Sequence, residues 1–142
     1  MNTATKLLFL LLLCFAAPKV AIAGPDPQYP TFWTFPDCAA PFVERQIVER
    51  SNWAERTTFN YGVELQGFNT TQERVVETFG LSPIFRRYCR ASGIMSDGHH
   101  RTVHYRISRG MGLAGTGYSL EFCVQGLDRW RVFDGNCRVL QR

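Results

Sequence analysis

The sequence predicts an α+β domain in which one main helix, with a short second helix, packs on a four-stranded antiparallel sheet, in a cystatin-like or NTF2-like style. Three observations carry this expectation. From about Ala39 the chain repeats apolar residues at helical spacing. Its C-terminal half alternates apolar and polar residues in short runs joined by glycine-containing turns. Four cysteines remain once an N-terminal export signal is set aside, an even number that suits a disulfide-paired core.

Residues 1–23 read as a cleaved signal peptide. Lys6 closes a short basic region, Leu7 to Ala17 is an apolar run of 11 residues, and Ala21-Ile22-Ala23 offers the small residues that signal peptidase requires. The run falls short of the ~20 residues needed to span a bilayer as a helix, so no transmembrane segment is expected after cleavage. A lipid anchor on Cys14 is the rival reading, weakened by the bulky Leu13 before it. Cys14 leaves with the signal, as do both lysines, Lys6 and Lys19. Removing those two charges takes the net +4 of the chain to +2, all of its cations then being arginine. The domain is therefore only mildly basic.

Gly24 to Asp37, "GPDPQYPTFWTFPD", holds four prolines and four aromatics and should be extended. Phe32, Trp33 and Phe35 are expected to fold back onto the domain that spans 38–142, because large aromatics are costly to leave in water. Asp37 can cap a helix from about Ala39 to Thr57. Val43, Ile47 and Ala54 form its apolar stripe, with Phe42 and Trp53 beside it, while Glu44, Arg45, Glu49, Arg50 and Glu55 fill the wet side. Phe59 to Leu65 alternates and suggests a short strand. Thr70 to Glu73, "TTQE", has the form of a capping box and predicts a short helix through Val75, Val76 and Phe79 that ends at Gly80.

Strands are then expected over Ile84–Met95, His100–Ser108 and Tyr118–Gln125, with a return over Trp130–Phe133. Ser96-Asp97-Gly98 joins the first two as a tight turn. That turn sets Arg90 opposite His104 and Cys89 opposite Tyr105. Cys89 then shares the dry face with the helix, and Cys123 lies on the wet face. A sheet would separate the two, so the expected bonds are Cys38–Cys89 and Cys123–Cys137. A slip of one residue in register would reverse this.

The runs "RRYCRASGIM", "VHYRI", "YSLEFCVQGLDRW" and "DGNCR", between Phe85 and Arg138, resemble a group of small exported proteins of Gram-negative bacteria without an assigned activity. The resemblance implies a periplasmic address and a paired-cysteine core, and it implies no catalytic residues.

Two motifs invite specific chemistry and fail its conditions. Gly110 to Gly115, "GMGLAG", matches the dinucleotide pattern G-x-G-x-x-G, which works only where it opens a helix. Here it leads into the β-patterned "YSLEFCV", so no dinucleotide is expected. Its apolar tips, Met111 and Leu113, could touch a membrane or a partner. His100 and His104 are four apart, which on a strand separates them by about 13 Å, too far to share one ion. No C-x-x-C pair exists, and neither a metal nor another cofactor is implied.

The wet face is the candidate site, with Arg86, Tyr88, Arg90, His100, His104, Arg106 and Glu121. The best reading is a non-enzymatic binding or envelope-associated protein of the periplasm. Arg86, Tyr88, Arg90 and Arg106 would there meet an anionic ligand or an envelope protein, and Tyr88 would stack between guanidinium groups. The alternative is a small metal-free ribonuclease-like hydrolase, with His104 and Glu121 as acid and base and Arg90 on phosphate.

Overall fold

The structure is a computed structural model and describes residues 35–78 and 84–142. The expected signal peptide, Phe32, Trp33, Phe79 and Gly80 lie outside these residues. Helix α1 spans Pro41–Ala54 and continues into a wider π turn, Glu55–Phe59. Four strands follow: β1 Leu65–Glu77, β2 Arg86–Met95, β3 His100–Arg109 and β4 Tyr118–Val124. They form one antiparallel sheet in the order β1-β2-β3-β4. A tail of tight turns, ending in a 3-10 helix over Gly135–Leu140, completes the chain.

The α+β class is therefore as expected, with one helix on four antiparallel strands, and three elements differ. The short second helix at Thr70–Glu73 does not form, because those residues lie in the middle of β1. Pairing with β2 outweighs the local capping signal, since a long neighbouring strand satisfies every second backbone group. The expected strand Phe59–Leu65 is instead the end of the π turn and a connection, with Asn60 and Gly62 at positive φ. Trp130–Phe133 makes turns, not a strand, so the fourth strand is β1.

Val43 and Ile47 of α1 are fully buried against the sheet. The sheet answers with Cys89, Ala91 and Met95 of β2, Val103, Tyr105 and Ile107 of β3, and Leu120 and Val124 of β4. Gly93 faces the same layer, where a Cβ would come within 2.8 Å of Leu65 Cδ1 and 2.9 Å of Val103 Cγ2. The helix end is pinned to β1 by a pair of hydrogen bonds. Asn52 Nδ2 donates to Leu65 O and Leu65 N donates to Asn52 Oδ1, both at 2.8 Å. Two side chains of the helix and its π turn depart from expectation. Trp53 is 62% exposed, and Glu55 is buried, its Oε1 accepting from Gly62 N at 2.6 Å.

The register of β2 and β3 is the expected one, with Arg90 opposite His104 and Cys89 opposite Tyr105. Both disulfides follow it: Cys38–Cys89 on the helix side and Cys123–Cys137 on the other. Beside the first, Tyr105 donates its hydroxyl to Cys38 O at 2.7 Å. Burial first, then the Glu44 carboxylate, pushes this phenol above its ordinary pKa, so it stays protonated and a donor. Phe35 packs on the same core as expected, under the Arg87 guanidinium at 4.7 Å from its ring centroid. Arg87 also ties Asp37 and Glu73, each at 2.7 Å, to β2.

Tyr105→Phe should lower the unfolding free energy by about 1–3 kcal/mol, because it leaves the Cys38 carbonyl buried without its donor. Urea unfolding reads this directly, and an unchanged midpoint would mean that the carbonyl has another partner.

Candidate functional site

The second face of the sheet is not the open wet surface that alternation predicts. The tail crosses it. Cys123 and Cys137 join the tail to β4, Phe133 packs beside them, and Leu140 is buried farther along. Asp128 holds the first turn, accepting from Val132 N and Phe133 N at 2.9 Å each. Arg131, Asp134, Asn136 and Cys137 all take positive φ, a conformation unfavourable for side-chain-bearing residues. The disulfide and the Asp134–Arg138 ion pair hold it. Under this cover Tyr88, His104 and Cys123 are buried.

Backbone bonding sets how close the site's side chains come. Met95 N donates to His99 O and Arg109 N to Phe85 O, so those pairs are the hydrogen-bonded ones. Counting inward, Arg90 and His104 form a non-hydrogen-bonded pair, whose Cα atoms approach to about 4.5 Å and whose side chains run together. Arg74 joins them from β1. The pairing shifts between Glu73 and Val75, leaving Arg74 as the extra residue of a bulge. A bulge redirects a side chain, and this one brings the Arg74 charge to bear on His104. The tail supplies Leu140, Gln141 and Arg142. Together with Arg74, Arg90 and His104 they line a hollow of about 290 Å³.

Charge in this hollow is one-sided. Arg142 reaches Glu77 at 3.5 Å. Arg74 and Arg90 have no acidic partner among the described residues. His104 is 93% buried, and among the described residues no hydrogen bond engages its ring. Burial above all, and then the charges of Arg90 and Arg74, holds its pKa below the ordinary 6.5. The imidazole at neutral pH is thus an uncharged group at the base of a cationic hollow.

The other residues expected to form the site are engaged elsewhere. Tyr88 is 2% exposed and already lies between two guanidinium groups, those of Arg106 and Arg142, each 5.8 Å from its ring centroid. Its hydroxyl faces Glu77 Oε2 at 3.4 Å, so it is no free stacking platform. Arg106 grips Glu121 through Nε at 2.7 Å and through a second nitrogen. Arg86 begins β2 between Glu77 and Ser108, two pairs along the strand from Tyr88's neighbours. His100 stands near the hairpin end, its Nδ1 3.4 Å from Ser92 Oγ. Of the set His104, Glu121 and Arg90, only His104 and Arg90 come together. Glu121 is held by Arg106 and lines a separate groove, and no carboxylate is among the described residues that line the hollow.

Arg74 and Arg142 escaped the sequence reading. Arg74 lay within the expected second helix, and only the strand pairing sets it beside Arg90. Among the described residues no group of three or more His, Cys, Asp or Glu is positioned to hold a metal. Gly110 to Gly117 forms a closed connection, with Gly110 N bonded to Gly117 O and Gly112 N to Thr116 O, and it opens into β4 and not into a helix. No family model, curated protein or solved structure matches this chain.

His104 supplies a test of this geometry. Its depressed pKa means that the stability it contributes is complete above about 6.5 and is lost as pH falls through the folded value. Titration of its imidazole by NMR should give a midpoint below that reference. In Cys123→Ser/Cys137→Ser, which frees the tail, the midpoint should rise toward about 6.5. A wild-type midpoint at or above the reference would contradict the burial described.

Proposed function

We propose that this is an exported, non-enzymatic binding protein of the periplasm that receives an anionic group in the hollow between Arg74, Arg90, Arg142 and His104. The observation that carries the reading is the pair Arg74 and Arg90, two guanidinium groups converging on one concavity without acidic partners. Like charges held together raise the energy of the empty site, and an anion relieves it through charge-assisted bonds. His104 strengthens the reading in one direction of pH. An anion favours its protonated form, so binding takes up a proton and tightens as the solution acidifies. Exchange of free ligands suits this arrangement better than chemistry does, because Glu121 is held by Arg106 and faces away.

Two disulfides suit an oxidising compartment, and no helix among the described residues is long and apolar enough to cross a membrane. The signal-like start and the resemblance to small exported proteins of Gram-negative bacteria support the periplasm as that compartment.

Inorganic phosphate is the simplest probe. Calorimetric titration should give saturable binding to one site, weakened by added NaCl. Arg90→Gln and Arg74→Gln should each weaken it about tenfold or more, the loss expected for one charge-assisted bond of ~1.5–3 kcal/mol. Sulfate, whose charge does not change in this range, should bind more tightly as the solution acidifies below neutrality, and His104→Gln should flatten that rise. Absence of binding at millimolar phosphate, or equal affinity in both arginine variants, would remove the hollow as the site.

A further inference from the structure

A second cavity lies on the opposite side of the sheet's edge and owes nothing to the cationic hollow. The Asn52–Leu65 clamp ties the end of α1 to the start of β1, and the π turn Glu55–Phe59 follows it. Between α1, the π turn, β4 and the first turns of the tail runs a groove of about 330 Å³. Its walls are apolar, with Ala54, Phe59, Val63, Leu120, Phe122 and Val132 among them. Val132 is 67% exposed at its lip, and Trp130 lies against Phe59, 5.1 Å between ring centroids. A groove of this size stands at the lower end of the ~300–1,000 Å³ usual for small ligands.

Among the described residues that line the groove, Arg50 is the one cation. Arg50 lies across the edge strand, its Nη1 donating to Leu120 O at 3.0 Å and its guanidinium 5.7 Å from the Phe122 ring centroid. Among the described residues no carboxylate pairs with it. The acids that line the groove are otherwise engaged: Glu121 with Arg106, Asp128 with two backbone N–H groups, and Glu55 with Gly62 N. A guanidinium fork has donors to spare after one carbonyl, and its planar geometry matches a carboxylate.

We infer that this groove binds an amphipathic carboxylate of medium chain length, its apolar tail between Phe59 and Phe122 and its carboxylate on Arg50. The tail gains by leaving water, about 0.8 kcal/mol for each methylene buried, and the head supplies the direction of entry. The inference stands apart from the phosphate reading, since the two cavities share no residue.

Calorimetric or NMR titration of the full chain with octanoate, octanol and octyltrimethylammonium separates the possibilities. Octanoate should bind about tenfold more tightly than octanol, and the cation should not bind. Arg50→Gln should abolish the preference for octanoate while octanol binding persists, and Val132→Asp should weaken both. Arg109→Gln, a matched arginine change outside the groove's lining, should leave octanoate binding as it is. Equal affinity for octanoate and octanol, or an Arg50→Gln variant that keeps the preference, would overturn the assignment. So would a failure of octanoate to bind up to its solubility limit. Concentration-dependent dimerisation lost in Val132→Asp, with no octanoate binding, would assign the groove to a second copy of the chain and equally overturn it.

Discussion

The parity of the β2–β3 hairpin decides on which side of the sheet every important side chain stands. Side chains alternate along a strand, so the turn at Ser96–Gly98 commits Cys89 and Tyr105 to the helix side and Arg90 and His104 to the other. Cys89 can then reach Cys38 just ahead of α1, and Tyr105 can close the same corner through the Cys38 carbonyl. On the far side, parity in β4 leaves Cys123 to capture Cys137 and draw the tail across the sheet. One disulfide fixes the helix to one face, and the other fixes a cover to the opposite face. A displacement by a single residue would interchange these faces and leave neither bond possible without remaking the core.

The tail changes the electrostatic character of the face it crosses. Alternation alone would leave Tyr88, His104 and Cys123 in water. Their burial removes solvent from around an imidazole that already lies beside two arginines, and all three influences favour its neutral form. The same cover supplies Arg142, which closes over Tyr88 and reaches Glu77. The cationic hollow is therefore a joint product of three strands and a tail. It depends on a bulge in β1 to aim Arg74 and on the Cys123–Cys137 bond to hold the tail in its unfavourable backbone conformations.

The sheet's centre was legible because its alternation is unbroken. Val103, Tyr105 and Ile107, and Leu120, Phe122 and Val124, follow period two without interruption, and both disulfide pairings could be argued from them. The strand β1 was illegible for a physical reason. Register shifts after Leu65, Phe68 and Glu73 break its period, and no clean apolar alternation survives between Leu65 and Glu77. A capping-box sequence in that interval pointed to a helix, while the competing interaction, a ladder of bonds to β2, lies some twenty residues away in sequence. Loss of β1 concealed Arg74 as well. Arg90 and His104 were named because they lie on the legible strands, whereas Tyr88, Arg106 and Glu121 were given roles that their mutual contacts already occupy. Nothing in the local pattern of the tail foretold that it covers the sheet.

The disulfide map tests the parity argument most directly, because arginine separates all four cysteines. Cleavage at arginine leaves Cys38 before Arg45, Cys89 within Tyr88–Arg90, Cys123 between Arg109 and Arg129, and Cys137 between Arg131 and Arg138. Under non-reducing conditions, mass spectrometry of the digest should find the Cys38 peptide joined to the Cys89 peptide and the Cys123 peptide joined to the Cys137 peptide. A Cys89–Cys123 linkage would unite residues that stand on opposite faces of the sheet, and would contradict the register from which both the fold and the cationic hollow follow.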